Sequence, residues 1–116
     1  MAARVLVVED DPEFKTTLEC LLTSQGHEVD VVNNGAEAIS FLEANEERPD
    51  VVLVDLLMPG IVGHELLEYL RDDDKLAEIP VAIVSASPQL APEGYPVFPK
   101  PIDSRSLLDF VTRAGW

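Results

Sequence analysis

Short runs of apolar residues, rich in valine, recur along the chain at intervals that suit the strands of one sheet. Four of them span four residues each, and most are continuous, a pattern typical of strands covered on both faces. These runs occupy residues 5–8, 29–32, 51–54 and 81–84, and a shorter pair at residues 97–98 follows them. We predict five strands, of which the last is short.

The stretches between most of these runs carry apolar residues at helical spacing. In the first stretch, Phe14, Leu18 and Leu22 recur every four residues after an Asp11-Pro12 pair, which is typical of a helix start. Three more helices are predicted by Ala36, Ile39, Phe41 and Leu42, by Leu66, Leu67 and Leu70 within residues 63–71, and by Leu107, Leu108 and Val111 after a cap at Asp103 or Ser104. Strands that alternate with helices predict an α/β domain with a doubly wound, five-stranded parallel sheet and helices on both faces.

The connection between the fourth and fifth predicted strands is too short for the usual helix. Only residues 87–94 are available, whereas a parallel crossover with its helix takes about a dozen residues or more. Pro88 can open a helix, but Pro92 cannot donate a hydrogen bond to the carbonyl of Pro88 and clashes with it. We predict that this fourth helix is missing or truncated to about one turn.

Polar residues of complementary charge follow the predicted strands where ligands bind in such sheets, at the carboxyl ends. Glu9 and Asp10 follow the first strand, Asp55 the third, Ser85 the fourth and Lys100 the fifth. Two carboxylates ~5 Å apart repel by roughly 3 kcal/mol at an effective dielectric constant of about 20, so three together would drive a proton onto one of them or recruit a cation. Mg²⁺ is the natural candidate, because it prefers carboxylate oxygens and also takes phosphate oxygens.

The composition excludes several classes of function. The chain has 116 residues, enough for one domain over residues 1–116, and 22 acidic against 8 basic residues give a net charge of −14. This charge argues against direct binding of nucleic acid, which needs a basic patch. No stretch approaches the ~20 apolar residues of a membrane span, and the first residues lack the long apolar region that is typical of a signal peptide. The single cysteine, Cys20, fits a reducing compartment, so we expect a cytoplasmic domain with no membrane contact.

Four motifs together resemble the receiver domain of two-component response regulators. They are VLVVEDD at residues 5–11, VDLLMPG at residues 54–60 with Gly63 beyond it, SA at residues 85–86 and KP at residues 100–101. The resemblance covers essentially the whole chain. It implies a flavodoxin-like fold and a signalling switch in a phosphorelay, with no enzyme activity beyond its own phosphoryl transfer and dephosphorylation.

The resemblance also implies a role for each residue of the pocket. Asp55 would accept a phosphoryl group from a histidine kinase or a histidine phosphotransfer protein, and the output partner stays unknown. Mg²⁺ would be bound directly by Asp10, Asp55 and the backbone carbonyl of Leu57, and through water by Glu9. Ser85 would be the switch hydroxyl and Lys100 would pair with a phosphoryl oxygen, with a cis peptide bond at Pro101.

The sequence departs from the receiver pattern in two places. Val97 stands where the family usually has an aromatic switch residue, and only 15 positions separate Ser85 from Lys100, fewer than is usual. The short segment favours an alternative, a receiver-like interaction module in which phosphorylation is absent or is not the signal. Retention of all five pocket residues favours the phosphorylated switch. An aspartyl phosphohydrolase is disfavoured because Leu57, two positions after Asp55, cannot transfer a proton. A dinucleotide-binding domain is excluded because no glycine-rich loop follows the first strand.

Overall fold

The computed structural model of the chain describes residues 2–45, 47–55 and 63–114. Within these residues there are five strands: β1 Arg4–Val8, β2 Glu28–Val32, β3 Val51–Val54, β4 Val81–Ser85 and β5 Val97–Pro99. The same residues form four α-helices: α1 Pro12–Ser24, α2 Gly35–Ala44, α3 Gly63–Asp72 and α4 Ser104–Ala114. Each predicted strand and helix is therefore present, apart from the helix that was expected to be missing or truncated.

The strands form one parallel sheet in the order β2-β1-β3-β4-β5. Alternate residues of each central strand face opposite sides, so the strands contribute to two separate apolar cores. Leu6, Val52 and Ile83 pack on the side of α2 and α3. Val7 and Leu53 pack on the other side, with α1 and α4. The prediction of a doubly wound α/β sheet, covered on both faces, is confirmed.

Local sequence signals set the start of the helices. Asp11 caps α1, because its side chain accepts a hydrogen bond of 3.1 Å from the backbone N–H of Glu13, and Pro12 takes the first helical position. Gly26 follows this helix with φ of 86°, a conformation that favours glycine. At the start of α4, the Asp103 carboxylate accepts from the backbone N–H of Arg105 and from the Ser106 hydroxyl. Asp103 is therefore the cap among the two candidates.

The connection from β4 to β5 holds a single 3-10 turn, Pro88–Leu90, in place of an α-helix. This turn ends with a hydrogen bond of 3.1 Å from the Ala91 N–H to the Pro88 carbonyl. Pro92 lacks the N–H that would continue a helix. The prediction of a helix reduced to about one turn is confirmed. None of the helices in the described ranges is long and apolar enough to cross a membrane.

A buried histidine just before β2 is hydrogen-bonded to the residue just before β1. His27 is only 5% exposed, and its Nδ1 accepts a hydrogen bond of 2.8 Å from the backbone N–H of Ala3. Burial lowers the pKa of His27, because the protonated ring would lose its hydration. Protonation at Nδ1 would also remove the acceptor for Ala3. Burial and the hydrogen bond from Ala3 therefore both favour the neutral ring.

We expect the stability of the protein to depend on pH through His27. The imidazole of the unfolded chain titrates near pH ~6.5, whereas the folded protein resists protonation. The contribution of His27 is therefore complete above that pH and declines as the pH falls below it. Chemical denaturation between pH 7.5 and 5.5 should show wild type losing stability relative to His27→Gln, which keeps an acceptor but does not titrate. A constant difference between the two proteins over this range would contradict the prediction.

Candidate functional site

The carboxyl ends of β1 and β3 place two acidic side chains next to each other. Val8 and Val54 are paired at the ends of these strands, and the backbone N–H of Asp55 donates to the Val8 carbonyl at 3.0 Å. Glu9, the residue after β1, is held by a hydrogen bond of 3.0 Å from its N–H to the Val32 carbonyl. Because β1 lies between β2 and β3, this is the point where the strand order reverses and where such sheets bind ligands.

Glu9, Asp10 and Asp55 form one acidic cluster. A carboxylate oxygen from each of them lies within 4.8 Å of the other two. Glu9 is 1% exposed and Asp55 is 5% exposed, so water does little to screen their charges. Burial, together with the charge of Asp55, raises the pKa of Glu9 to about 7, although a hydrogen bond from the Asp11 N–H opposes the change. An arrangement of this kind stabilises a bound cation.

Lys100 supplies one positive charge to this cluster from the end of β5. Its Nζ donates to Asp55 Oδ2 at 3.0 Å and to Glu9 Oε2 at 3.2 Å. Burial alone would lower the pKa of Lys100, but the hydrogen bonds to Asp55 and Glu9 outweigh it and the pKa is raised. Lys100 therefore carries its charge at neutral pH. The peptide bond between Lys100 and Pro101 is cis.

Ser85 is the last residue of β4 and is 2% exposed. Its backbone carbonyl accepts a hydrogen bond of 2.9 Å from the Lys100 N–H, which fixes the two residues relative to each other. The Ser85 hydroxyl oxygen accepts from the Ser87 N–H, also at 2.9 Å. The structure thus brings Glu9, Asp10, Asp55 and Lys100 into one cluster, with Ser85 tied to it through the backbone of Lys100. Leu57, whose carbonyl was expected to be a metal ligand, lies outside the described residues.

One neighbour of the cluster is missed by reasoning from sequence. The Nζ of Lys100 lies 4.0 Å from the centre of the Phe14 ring, a cation–π contact. In the sequence Phe14 only looks like part of the apolar stripe of α1. Its position could have revealed the contact. Phe14 lies in the first turn of a helix that starts beside the acidic pair, so its ring lies close to that pair.

Comparison with known proteins agrees with this geometry. The profile of the response regulator receiver domain matches residues 5–111. The chain is 34% identical to the protein PilH of Pseudomonas aeruginosa over 113 residues, which cover 91% of this chain and 92% of PilH. A longer relative is the probable transcriptional regulator ycf29 of Porphyra purpurea. It is 42% identical over 86 residues, which cover 74% of this chain and 40% of that protein.

Solved structures give the same fold. The signal receiver domain of a signal transduction histidine kinase from Syntrophus aciditrophicus superposes with a TM-score of 0.83 and 30% identity, covering 97% of this chain and 89% of that one. The receiver domain of the sensor histidine kinase PA1611 from Pseudomonas aeruginosa PAO1, solved with a magnesium ion in its active-site cleft, has a TM-score of 0.86 and 24% identity, with 97% of each chain covered. The cluster of acids and a lysine lies at the switch point of the same sheet, and the family profile covers nearly all of this sequence. The chain belongs to the response regulator receiver domain family.

Proposed function

We propose that this domain is a phosphorylation-dependent signalling switch in which Asp55 accepts a phosphoryl group from a phosphohistidine, with Mg²⁺ bound beside it. Receiver domains are signalling modules that interact with histidine kinases or phosphotransfer proteins, and they bind Mg²⁺ in an acidic pocket. The observation that carries the proposal is the pairing of the buried Asp55 carboxylate with Lys100 Nζ at 3.0 Å, inside a cluster of three carboxylates. The donor is a histidine kinase or a histidine phosphotransfer protein.

The donor set of the pocket fits Mg²⁺. Its oxygens are hard ligands, and three of them, one each from Glu9, Asp10 and Asp55, lie close enough together to surround one ion with water filling the remaining positions. Asp10 and Asp55 would bind it directly, Glu9 through water, and the carbonyl of Leu57 completes the proposed set. When bound, Mg²⁺ supplies positive charge that offsets both the carboxylates and the oxygens of a phosphoryl group.

The remaining residues then have defined roles in the transfer. An oxygen of the Asp55 carboxylate attacks the phosphorus, so that a P–O bond forms while the P–N bond to the donor imidazole breaks. The electron pair of that bond leaves with the imidazole, which stays on the donor protein. Lys100 moves from an Asp55 oxygen to a phosphoryl oxygen, a short shift because its Nζ is already 3.0 Å from the carboxylate. For Ser85 to donate its hydroxyl to the phosphoryl group, it must turn away from the Ser87 N–H.

A second candidate function is an interaction module that works without phosphorylation. The observation in its favour is the connection from β4 to β5, where a 3-10 turn replaces the helix that covers the sheet in a doubly wound fold. Val97, at the position of the usual aromatic switch residue, lies in β5 beside this connection. Both features change the surface on which a signal would be read, whereas the acidic cluster is intact. The labelling experiment below separates the two functions.

We further propose that the domain acts in the cytoplasm on a protein partner. Cys20 is a free, exposed thiol, which suits a reducing compartment. The net charge of −14 opposes direct contact with nucleic acid or with an anionic membrane surface.

We expect Asp55 to be the residue that is phosphorylated. Incubation with a small phosphodonor such as phosphoramidate, in the presence of Mg²⁺, should add the mass of one phosphoryl group to the intact protein. Asp55→Asn should remain unlabelled, because the amide is not a nucleophile of this kind. Asp11→Asn is the matched control, since it removes a neighbouring acid while an asparagine still caps α1. Equal labelling of wild type and Asp55→Asn would refute the proposal.

Asp10 should contribute both to metal binding and to electrostatic repulsion in the pocket. We expect Asp10→Asn to bind Mg²⁺ more weakly by titration calorimetry. In the presence of a chelator the same variant should be more stable than wild type by about 1 kcal/mol or more, because one repulsive carboxylate is gone. Asp11→Asn should change neither quantity appreciably. Earlier melting of Asp10→Asn than of wild type in chelator would show that the repulsion argument is wrong.

Receiver domains commonly form symmetric dimers through the face that contains the β4–β5 connection, β5 and the last helix. The shortened connection should prevent dimerisation through this face. We expect the protein to sediment as a monomer both with and without phosphoramidate and Mg²⁺ at micromolar concentration. Phosphorylation-induced dimers that cross-link through residues 87–97 would contradict this expectation.

A further inference from the structure

Among the residues that the structure describes, the ammonium group of Lys100 has neighbours of two kinds. The carboxylates of Asp55 and Glu9 are one kind, and the face of the Phe14 ring, 4.0 Å away, is the other. We propose that Phe14 is a positioning residue, which holds the Lys100 ammonium at the phosphoacceptor site while the two carboxylates change partners. The inference rests on the proposed function and adds a residue to its machinery.

The two carboxylates cannot hold Lys100 steadily throughout the transfer. Both belong to the cluster whose oxygens would bind Mg²⁺, so a metal ion competes with Lys100 for them. Phosphorylation then turns one Asp55 oxygen into part of an acyl phosphate and withdraws negative charge from that carboxylate. The ring of Phe14 binds neither the metal nor the phosphoryl group, so its attraction for the ammonium is the same before and after these events.

The positions of both residues are fixed by the backbone. Phe14 lies in the first turn of α1, whose start is set by the Asp11 cap and by Pro12. Lys100 is anchored by the bond from its N–H to the Ser85 carbonyl, and its side chain is 19% exposed. A partly desolvated ammonium over a fixed ring is the setting in which a cation–π contact is strongest.

The ring also forms part of a wall beside the ammonium. A cavity of about 470 Å³ lies between α1 and the segment after β5, and its lining includes Phe14, Leu21, Lys100 and Pro101. A smaller residue at position 14 would therefore enlarge this cavity as well as remove the ring. Leu21→Ala enlarges the same cavity but keeps the Phe14 ring. It is therefore the matched control for loss of packing.

The contact can be tested without any phosphorylation. In metal-free protein, the ε-methylene protons of Lys100 should resonate upfield of ordinary lysine values, because their carbon is bonded to the Nζ that lies 4.0 Å from the centre of the Phe14 ring. We expect this shift to be lost in Phe14→Leu and retained in Phe14→Tyr and in Leu21→Ala. Ordinary Lys100 shifts in wild type, or shifts that Phe14→Leu leaves unchanged, would overturn the proposal.

The consequence for the transfer is tested by the initial rate at which phosphoramidate labels Asp55 at saturating Mg²⁺. We expect Phe14→Leu to be labelled about tenfold more slowly, and Phe14→Tyr and Leu21→Ala to be labelled at nearly the rate of wild type. Thermal melting shows whether each variant is folded, and Phe14→Tyr provides the comparison if Phe14→Leu is not. A wild-type rate in Phe14→Leu, or an equal loss in Leu21→Ala, overturns the positioning role while the function of Asp55 stands. Absence of labelling in wild type would instead refute the proposed function itself.

Discussion

The rest of the structure depends on the electrostatic balance among three carboxylates, which follow β1 and β3, and the ammonium of Lys100, which follows β5. Glu9 and Asp55 are almost fully buried, and Asp10 joins them with an oxygen within 4.8 Å of theirs. Such a group repels itself, and Lys100 offsets only part of the repulsion. Burial, and to a smaller extent the charge of Asp55, raises the pKa of Glu9 to about 7, so the ionised form of Glu9 is unfavourable in the pocket. A divalent cation, as proposed for this pocket, would offset the negative charge that Lys100 leaves uncompensated.

The fold keeps this unfavourable group in place by surrounding it with a rigid apolar sheet. The residues of β1 and β3 directly before Glu9 and Asp55 are buried, and the hydrogen bonds from β1 to its neighbours continue up to the two acids. Moving the backbone of either residue away from the other would require breaking these bonds or opening the core. The stability of the strands therefore maintains the repulsion between the side chains that follow them.

Much of this arrangement is accessible from the sequence because it depends on backbone topology. Parallel strands end at the same edge, so acids after β1 and β3 and a lysine after β5 must converge. The truncated connection follows equally from two prolines and a short segment. Contacts set by side-chain conformation were not accessible. The contact of the Phe14 ring with Lys100 and the hydrogen bond between Ser87 and Ser85 depend on rotamers. The hydrogen bond between Ala3 and His27 depends on how the residues that precede β1 and β2 meet.

The short connection between β4 and β5 also affects the entropy that is lost when these two strands pair. Ile83 and Val97 pair across a separation of 14 positions, whereas Val8 and Val54 pair across 46. The entropy lost on closing a chain segment grows with the logarithm of its length, so the β4–β5 pairing costs about 1 kcal/mol less to form than the β1–β3 pairing. The smaller loss of entropy favours the pairing of β5, a strand of three residues that can form few hydrogen bonds. The local pairing of β4 with β5 therefore offsets part of the stability that a strand of only three residues lacks.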